Sequence, residues 1–436
     1  MALRSASRRT FLKSGVLGFP TIVPGRVLGQ DAPSNKPTIG FVGTGNNGTN
    51  WMRIFLRDER VRVNAVCDVN LQGGGYWDGS VRGREVARLI VNEHYGDNSC
   101  LSFADFRELL TRADSDAIYI GTPDHWHALI AIAAARAGKD IFCQKPLALT
   151  VQEGRAMSDA VRTAGVIWQT GSQQRSDSNF RRVCEAVRNN RLGRIQTVRV
   201  GLPRGRPDYG RTAHLTDPQA VPEGFDYDMW LGPAPEARYA PARVGVNFRW
   251  VSDYSGGQVT DWGAHHLDIA QWGLGMDGSG PVAVKSPKGR FDEHPIYDTA
   301  TEFHFELEYA NGVRLICSSN ERPGVRFDGR DGWAWANRGT HEVSAKGVVT
   351  EPLGRMETPL YRSTNHITNF IDSLFSRKPT VAPVEAAHRS ATLAHLGNIA
   401  MMQGRELQWD PRSERILGDE GANGMLGRPY RGDWTL

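Results

Sequence analysis

The residues from Thr38 to Asp68 restrict what this chain can fold into more than any other stretch. A short apolar run, Ile39 to Val42, breaks into Gly43-Thr44-Gly45-Asn46-Asn47-Gly48, and an amphipathic segment follows. A second β-branched run, Val61 to Val66, ends in Asp68, twenty positions after Gly48. The order is strand, glycine turn, helix, strand and acid, and each part has a task in holding a dinucleotide. Gly43 permits the tight turn, Gly45 lets backbone approach a pyrophosphate, and Gly48 lets helix and strand pack closely. The pyrophosphate is expected on the free N–H groups at Asn46 and Asn47, where the helix begins. Asp68 is expected to accept from the adenosine ribose hydroxyls, which favours NAD over NADP because a 2′-phosphate would meet a carboxylate. In a chain with 48 glycines a bare G-x-G-x-x-G says little; the flanking strands and the acid give it meaning.

The pattern continues. Helix-like segments at 84–96, 106–113, 128–137 and 151–163 alternate with apolar runs near Cys100, at Ala117–Ile120, Asp140–Cys143 and Val166–Gln169. Such alternation builds a doubly wound parallel sheet whose ligand crevice lies at the C-terminal strand ends. Gly43, Asp68, Thr122 and Lys145 all fall at such ends. The glycine-rich segment from Asn70 to Arg84 is expected to lie over the adenosine end.

From Gln196 onward the character changes. Runs such as TVRVGL, FHFELEYANGVRLICSS and HEVSAKGVVTE are separated by long Gly/Pro/Trp loops, with a hairpin signal at Asn311-Gly312. These predict an α+β domain with a large open, mostly antiparallel sheet. Helices are expected at Asn365–Ser376 and Val384–Gly404, followed by a loose tail. The predicted organisation is 1–30 as an export signal, 36–170 as the α/β Rossmann domain, 171–410 as the α+β substrate and oligomerisation domain, and 411–436 as a tail.

Length is consistent with two cores, since single cores stop growing near ~250–300 residues. The formal charge of +4 is no argument for nucleic acid: Arg4, Arg8, Arg9, Lys13 and Arg26, in a stretch without acids, account for more than the whole excess. Five scattered cysteines, an odd count with no CxxC pair, argue against a disulfide framework, and Cys67 and Cys143 end apolar runs, where packing is their expected role.

Ser7-Arg8-Arg9-Thr10-Phe11-Leu12-Lys13, followed by the weakly apolar Ser14–Val23, is similar to a twin-arginine signal. The resemblance implies a bacterial protein exported to the periplasm already folded, with the twin-arginine machinery as a partner. No small-x-small cleavage site follows, so removal and retention as an anchor both stay open.

Two further stretches hold reactive groups. In Gln144-Lys145-Pro146 a lysine stands at a strand end facing the crevice, where it can donate to a substrate oxygen; desolvation beside a cationic nicotinamide would lower its pKa. In Gly256–Trp272, Asp261, His265 and Asp268 recur at spacings of four and three, which predicts one helical face with His265 as a general base held by Asp261. HExxH is absent and no third ligand is apparent, so no metal is assigned. A core histidine with a capping Asp261 is the bland alternative; His266 is taken as structural. Nicotinamide acceptor, base and cation together form a set that can oxidise an alcohol.

With these residues in place, the chain from about Pro37 to Trp409 resembles the glucose-fructose oxidoreductase / inositol dehydrogenase / MocA family. Gln144-Lys145-Pro146 matches its EKP motif, with glutamine for glutamate, and Gly256–Asp268 matches its GG-x-x-x-D-x-G-x-H-x-x-D helix. The resemblance implies Lys145, Asp261 and His265 as catalytic and substrate-binding residues, and Thr122, Pro123 and His127, with Lys145, as cofactor contacts beside the glycine turn. It also implies a carbohydrate substrate and a homo-oligomer, dimer or tetramer. Gln144 removes a negative charge beside Lys145 and so alters how the lysine is tuned. Among loop residues, Arg175, Arg249, Trp250 and Tyr254 are candidates for lining the pocket, Arg175 foremost. Three activities are compatible: an NAD(P)-dependent dehydrogenase of a sugar, glycoside or cyclitol; an NAD-dependent glycosidase that oxidises transiently and eliminates; and a non-catalytic sugar binder. Export favours a tightly held, recycled cofactor, NAD with NADP possible, because free nucleotide is scarce outside the cytoplasm.

Overall fold

The computed structural model describes residues 36–436, so the twin-arginine segment lies outside the described residues. Residues 37–436 form one compact body.

Its first part is a six-stranded parallel sheet in the order β3-β2-β1-β4-β5-β6. The strands are β1 (Thr38–Val42), β2 (Arg62–Cys67), β3 (Leu101–Phe103), β4 (Ala117–Ile120), β5 (Asp140–Cys143) and β6 (Trp168–Thr170). Helices α1 (Asn46–Phe55), α2 (Arg84–Tyr95), α3 (Phe106–Arg112), α4 (Asp124–Arg136) and α5 (Val151–Ala164) alternate with them. Strand order reverses between β1 and β4, which opens a crevice at their carboxyl ends. Stacked rings of Phe41, Tyr119 and Phe142 tie the three central strands together, with centroids 4.6 and 5.5 Å apart. Local sequence sets helix ends: Thr150 and Glu153 form a capping box at α5, which stops at Gly165 in the left-handed conformation. Helix α4 begins at Asp124, four residues before the predicted start, because Pro123 can precede a first turn and Asp124 suits its positive end.

After α6 (Ser178–Arg188) the chain builds a nine-stranded sheet, ordered β13-β12-β11-β7-β10-β9-β8-β14-β15. Its strands are β7 (Ile195–Gly201), β8 (Ala283–Arg290), β9 (Glu302–Glu308), β10 (Arg314–Ser318), β11 (Gly324–Gly329), β12 (Trp333–Asn337), β13 (Thr340–Val343), β14 (Leu407–Asp410) and β15 (Arg415–Ile416). Only β7 and β10 pair in parallel. Asn311-Gly312 turns between β9 and β10 as predicted, with Gly312 at φ +85°. HEVSAKGVVTE yields only the short β13, because Ser344 onward is turn.

Helices α7 (Tyr227–Leu231), α8 (Gly257–Asp261), α9 (Gly263–Leu274), α10 (His366–Ser376) and α11 (Val384–Gln403) complete the framework. The residues beyond 410 are not loose. Trp434 stacks edge-on against Trp126 at 4.9 Å, and Arg428 and Tyr430 both reach the buried carboxylate of Glu153. The Glu153 carboxylate on α5 and the Trp126 ring on α4 are what this segment docks against. All five cysteines are buried and unpaired. Among the described residues no helix is long and apolar enough to cross a membrane.

Candidate active site

One cavity of about 760 Å³ runs along the carboxyl ends of the first sheet and into the second half of the chain. At one end lies the glycine turn. Gly43, Gly45, Asn46 and Asn47 line the cavity, and Asp68 faces it from the end of β2. Gly48 does not line it. A Cβ on Gly48 would sit 1.9 Å from the carbonyl oxygen of Gly43, so this glycine secures helix–strand contact, as the motif requires. No side chain caps α1, and its first turn holds no acid, which leaves its leading N–H groups for an anion. Asp68 accepts from Thr44 N at 2.7 Å and Asn70 N at 2.9 Å, and a carboxylate retains further lone pairs for ribose hydroxyls.

The far end holds the reactive groups. Lys145 Nζ donates to Asp261 Oδ1 at 2.6 Å and to the Asp261 backbone oxygen at 3.1 Å. Arg249 Nε reaches the same Oδ1 at 3.2 Å. Burial opposes charge on Asp261, yet Lys145 and Arg249 hold its carboxyl well below the usual carboxylate range. His265 lines the same cavity and is 6% exposed. Burial, with Lys145 and Arg338 adding like charge, keeps its imidazole neutral, its pKa pushed well below the ordinary histidine value. Its Nδ1 has no hydrogen-bond partner among the described residues. A neutral imidazole that lines the cavity beside a lysine and an ionised aspartate is equipped to accept a hydroxyl proton.

The expected bond between Asp261 and His265 does not form. The helix changes at Trp262: Asp261 ends α8, and α9 begins at Gly263. Asp261 then turns to the two cations, whose charge outweighs a neutral imidazole. Asp268, expected on the same face, is buried against Arg175. This corrects the reading of Arg175, which does not reach the cavity. It is 2% exposed, with its guanidinium clamped by Asp268 at 2.7 Å and Asp277 at 2.8 Å.

His127 is also corrected. It is buried, with Nδ1 2.8 Å from Pro146 O and Nε2 3.0 Å from Thr122 O. It therefore fixes two strand-end turns rather than facing the cavity. Thr122 and Pro123 do line the cavity, and Thr122 Oγ1 is buried without a partner. Trp250 and Tyr254 are core residues, both 0% exposed.

Several contacts here were not legible in sequence. Gln144 Nε2 donates to Tyr119 OH at 2.9 Å, and Tyr119 OH donates to Asn47 Oδ1 at 2.8 Å, a chain from the lysine turn to the glycine turn. Arg338, from the turn between β12 and β13, reaches the cavity mouth with its guanidinium 4.8 Å from the Trp262 ring centroid. Asp124 is buried, accepts from Ser255 Oγ at 2.5 Å, and is pushed by burial up to about 7.

A clasp covers the adenosine side. Leu71 N bonds Gly224 O at 2.8 Å, Asp226 N bonds Val69 O at 3.0 Å and Val246 N bonds Gly75 O at 3.2 Å. Asn70 and Phe225 form an antiparallel bridge. The glycine-rich loop after Asp68 is thereby tied by main chain to the 203–250 segment.

The residues fit a dinucleotide. Asn46 Oδ1, Thr122 Oγ1 and His265 Nδ1 are buried without partners along one cavity, and a Cβ at Gly43 would meet backbone of Gly121 and Thr122 at 2.6 Å, so the turn has the bare, close-packed form such a ligand needs.

Comparison with known proteins agrees. Residues 38–172 match the NAD-binding Rossmann fold of the Gfo/Idh/MocA oxidoreductase family, and residues 185–436 match its C-terminal alpha/beta domain. A myo-inositol 2-dehydrogenase from Thermotoga maritima is 33% identical over 162 residues, 37% of this chain and 44% of that protein. An alpha-N-acetylgalactosaminidase from Shewanella oneidensis is 34% identical over 133 residues, 29% of this chain and 26% of that protein. The chain thus spans less than half the length of the curated relatives it matches. In fold it is similar to the WlbA dehydrogenase of Bordetella pertussis, solved with NADH and UDP-GlcNAcA, at a TM-score of 0.60 and 19% identity over 86% of this chain and 99% of that one.

Proposed function

Because the chain belongs to the Gfo/Idh/MocA oxidoreductase family, we propose that it oxidises a hydroxyl-bearing carbon of a sugar, glycoside or cyclitol with NAD. One observation carries this reading: Lys145, Asp261 and His265 meet at the end of the cavity whose other end is the glycine turn. NAD held by the glycine turn, Asp68 and Thr122 supplies a hydride acceptor. Lys145 Nζ, fixed by Asp261, donates to the substrate oxygen and holds it beside His265. His265, neutral and lining the cavity, takes the hydroxyl proton. Lining aromatic residues such as Trp262 and Tyr209 give a sugar ring an apolar face.

A second reading, cleavage of a glycoside with no net redox change, is favoured by the clasp. Main-chain bonds across the adenosine side suit a cofactor that stays bound between turnovers. Twin-arginine export to the periplasm, resting on Arg8-Arg9 and the apolar run after them, belongs to the same proposal, as does a homo-oligomer.

The test is to purify the protein, release and identify its nucleotide, and incubate it with a panel of sugars and glycosides. Reduced nicotinamide formed without another acceptor supports the dehydrogenase. Aglycone release without net reduction supports the glycosidase. Bound sugar with neither outcome contradicts both and leaves a binder.

A further inference from the structure

The reacting end of the cavity holds more positive charge than its own acids balance. Lys145 and Arg249 both aim at one carboxylate oxygen of Asp261, and the three side chains are 14%, 15% and 10% exposed. Arg249 spends Nε on Asp261 and Nη1 on Val246 O at 2.9 Å, and its Nη2 has no acceptor among the described residues. Arg338 adds a third cation at the mouth. With the Gln174 amide oriented by its partners, Arg338 Nε donates to Gln174 at 3.3 Å, and its guanidinium lies against Trp262. Among the described residues no acid forms an ion pair with it; Asp261 and Asp177 act on it only through space.

The other groups at this end do not offset the excess. His265 is neutral. Asp124, near 7 because of burial, carries only part of a charge at neutral pH and is already bonded to Ser255. Asp68 belongs to the opposite end, bonded to Thr44 and Asn70. An oxidised nicotinamide adds positive charge. Lys145 and Arg249 are both held largely out of water with one carboxylate between them, and a ligand anion that completes this pair is correspondingly favoured, with the exposed Arg338 beside it as a further donor.

We propose that the substrate carries a carboxylate, as hexuronic acids and their glycosides do, and that this group docks on Arg249 Nη2 and Arg338. A planar carboxylate suits guanidinium donors, and its single charge matches the excess that Lys145 and Arg249 leave over Asp261. Arg338 at the mouth also steers an anionic sugar inward. This inference rests on the catalytic reading of the same cavity and names its substrate class.

The experiment compares binding and turnover by the full chain with its nucleotide bound: the methyl glycosides of glucose, galactose and mannose, the corresponding methyl hexuronides, and the 6-phosphates of the same glycosides. Calorimetry should find at least one hexuronide bound about 30-fold more tightly than its neutral counterpart, the scale of a charge-assisted hydrogen bond. Arg338→Gln and Arg249→Gln should each cut that preference ratio about 10-fold, Arg338→Lys should keep part of it, and raised salt should narrow it. Arg338 lies at the rim, so its variants test the idea even where Arg249→Gln disturbs the fold. The proposal is overturned if no hexuronide outbinds its neutral partner, if sugar phosphates outbind every hexuronide, or if the ratio is unchanged in both Gln variants. Hexuronide preference without turnover would sink the oxidoreductase reading and leave this one standing. Turnover of neutral sugars without hexuronide preference would do the reverse.

Discussion

Lys145 Nζ lies 2.6 Å from Asp261 Oδ1, and the two residues are 116 positions apart. The bond joins the end of β5 to the end of α8, so one short ionic contact connects the two halves of the chain at the place where chemistry is proposed. Removing Asp261 leaves Lys145 and Arg249 buried without their shared anion. Asp261→Ala should therefore lower stability by about 3 kcal/mol and turnover by roughly 100-fold. Denaturant titration and steady-state kinetics on the same preparation check both, and a variant as stable and active as wild type would contradict the role given to the pair.

The Gln144–Tyr119–Asn47 chain needs an amide at position 144. The Gln144 Nε2 group donates to Tyr119 OH, which is then free to donate to Asn47. A glutamate there would compete with Asn47 for the single tyrosine proton. Gln144→Glu and Tyr119→Phe should each weaken nucleotide binding about fivefold, the scale of one hydrogen bond, measured by titrating NAD into stripped protein. Unchanged affinity in both would show that the chain has no part in holding the glycine turn.

Cofactor choice is assigned to the carboxylate of Asp68. Asp68→Ala should weaken NAD about tenfold and leave NADP less affected, so that the ratio of the two dissociation constants moves toward one. A ratio that stays fixed would mean that the 2′-position is read elsewhere.

Acid should destabilise the protein from the histidine range downward. Burial pushes His127, His266, His366 and His395 down to about 4, His125 to about 3, and His265 down as well. Between the ordinary histidine value of 6.5 and these depressed values, the unfolded chain binds protons that the native one does not. Stability is thus full above pH 6.5 and falls progressively below it. Asp124 acts in the opposite sense, since its folded value near 7 means that the native state keeps a proton the unfolded chain has lost. Asp68, Asp253 and Asp268, which burial also raises, add to it in the carboxylate range, below the pH at which the six histidines begin to cost stability. Tm measured from pH 7.5 to 4.5 should drop steadily, and a flat profile would contradict the burial of these rings as neutral groups.

The elements were legible where local chemistry decides them. The glycine turn, the alternation around β1 to β6 and the Asn311-Gly312 hairpin follow from short-range signals, and the structure places Gly43, Asp68, Thr122 and Lys145 at the strand ends where periodicity puts them. Partners were less legible. Helical spacing put Asp261, His265 and Asp268 on one face, but the break at Trp262 and the cations brought by β5 and the 203–250 segment redirected Asp261. Arg175 has the charge of a substrate ligand and lies near the crevice in sequence order; what turns it into the core is the buried Asp268, with Asp277, a residue with no local signal, as its second partner. Arg338 arrives from a distant hairpin, which only the tertiary fold reveals.

The central claim is that Lys145 and His265 perform the oxidation at a bound nicotinamide. The direct measurement is a single-turnover experiment that follows nicotinamide absorbance after substrate is mixed with wild type, Lys145→Ala and His265→Ala, each checked for bound nucleotide. The wild type should show rapid formation of reduced nicotinamide. Both variants should retain nucleotide and lose the signal by about 1,000-fold in rate. Either variant reducing its nicotinamide at the wild-type rate would contradict the account.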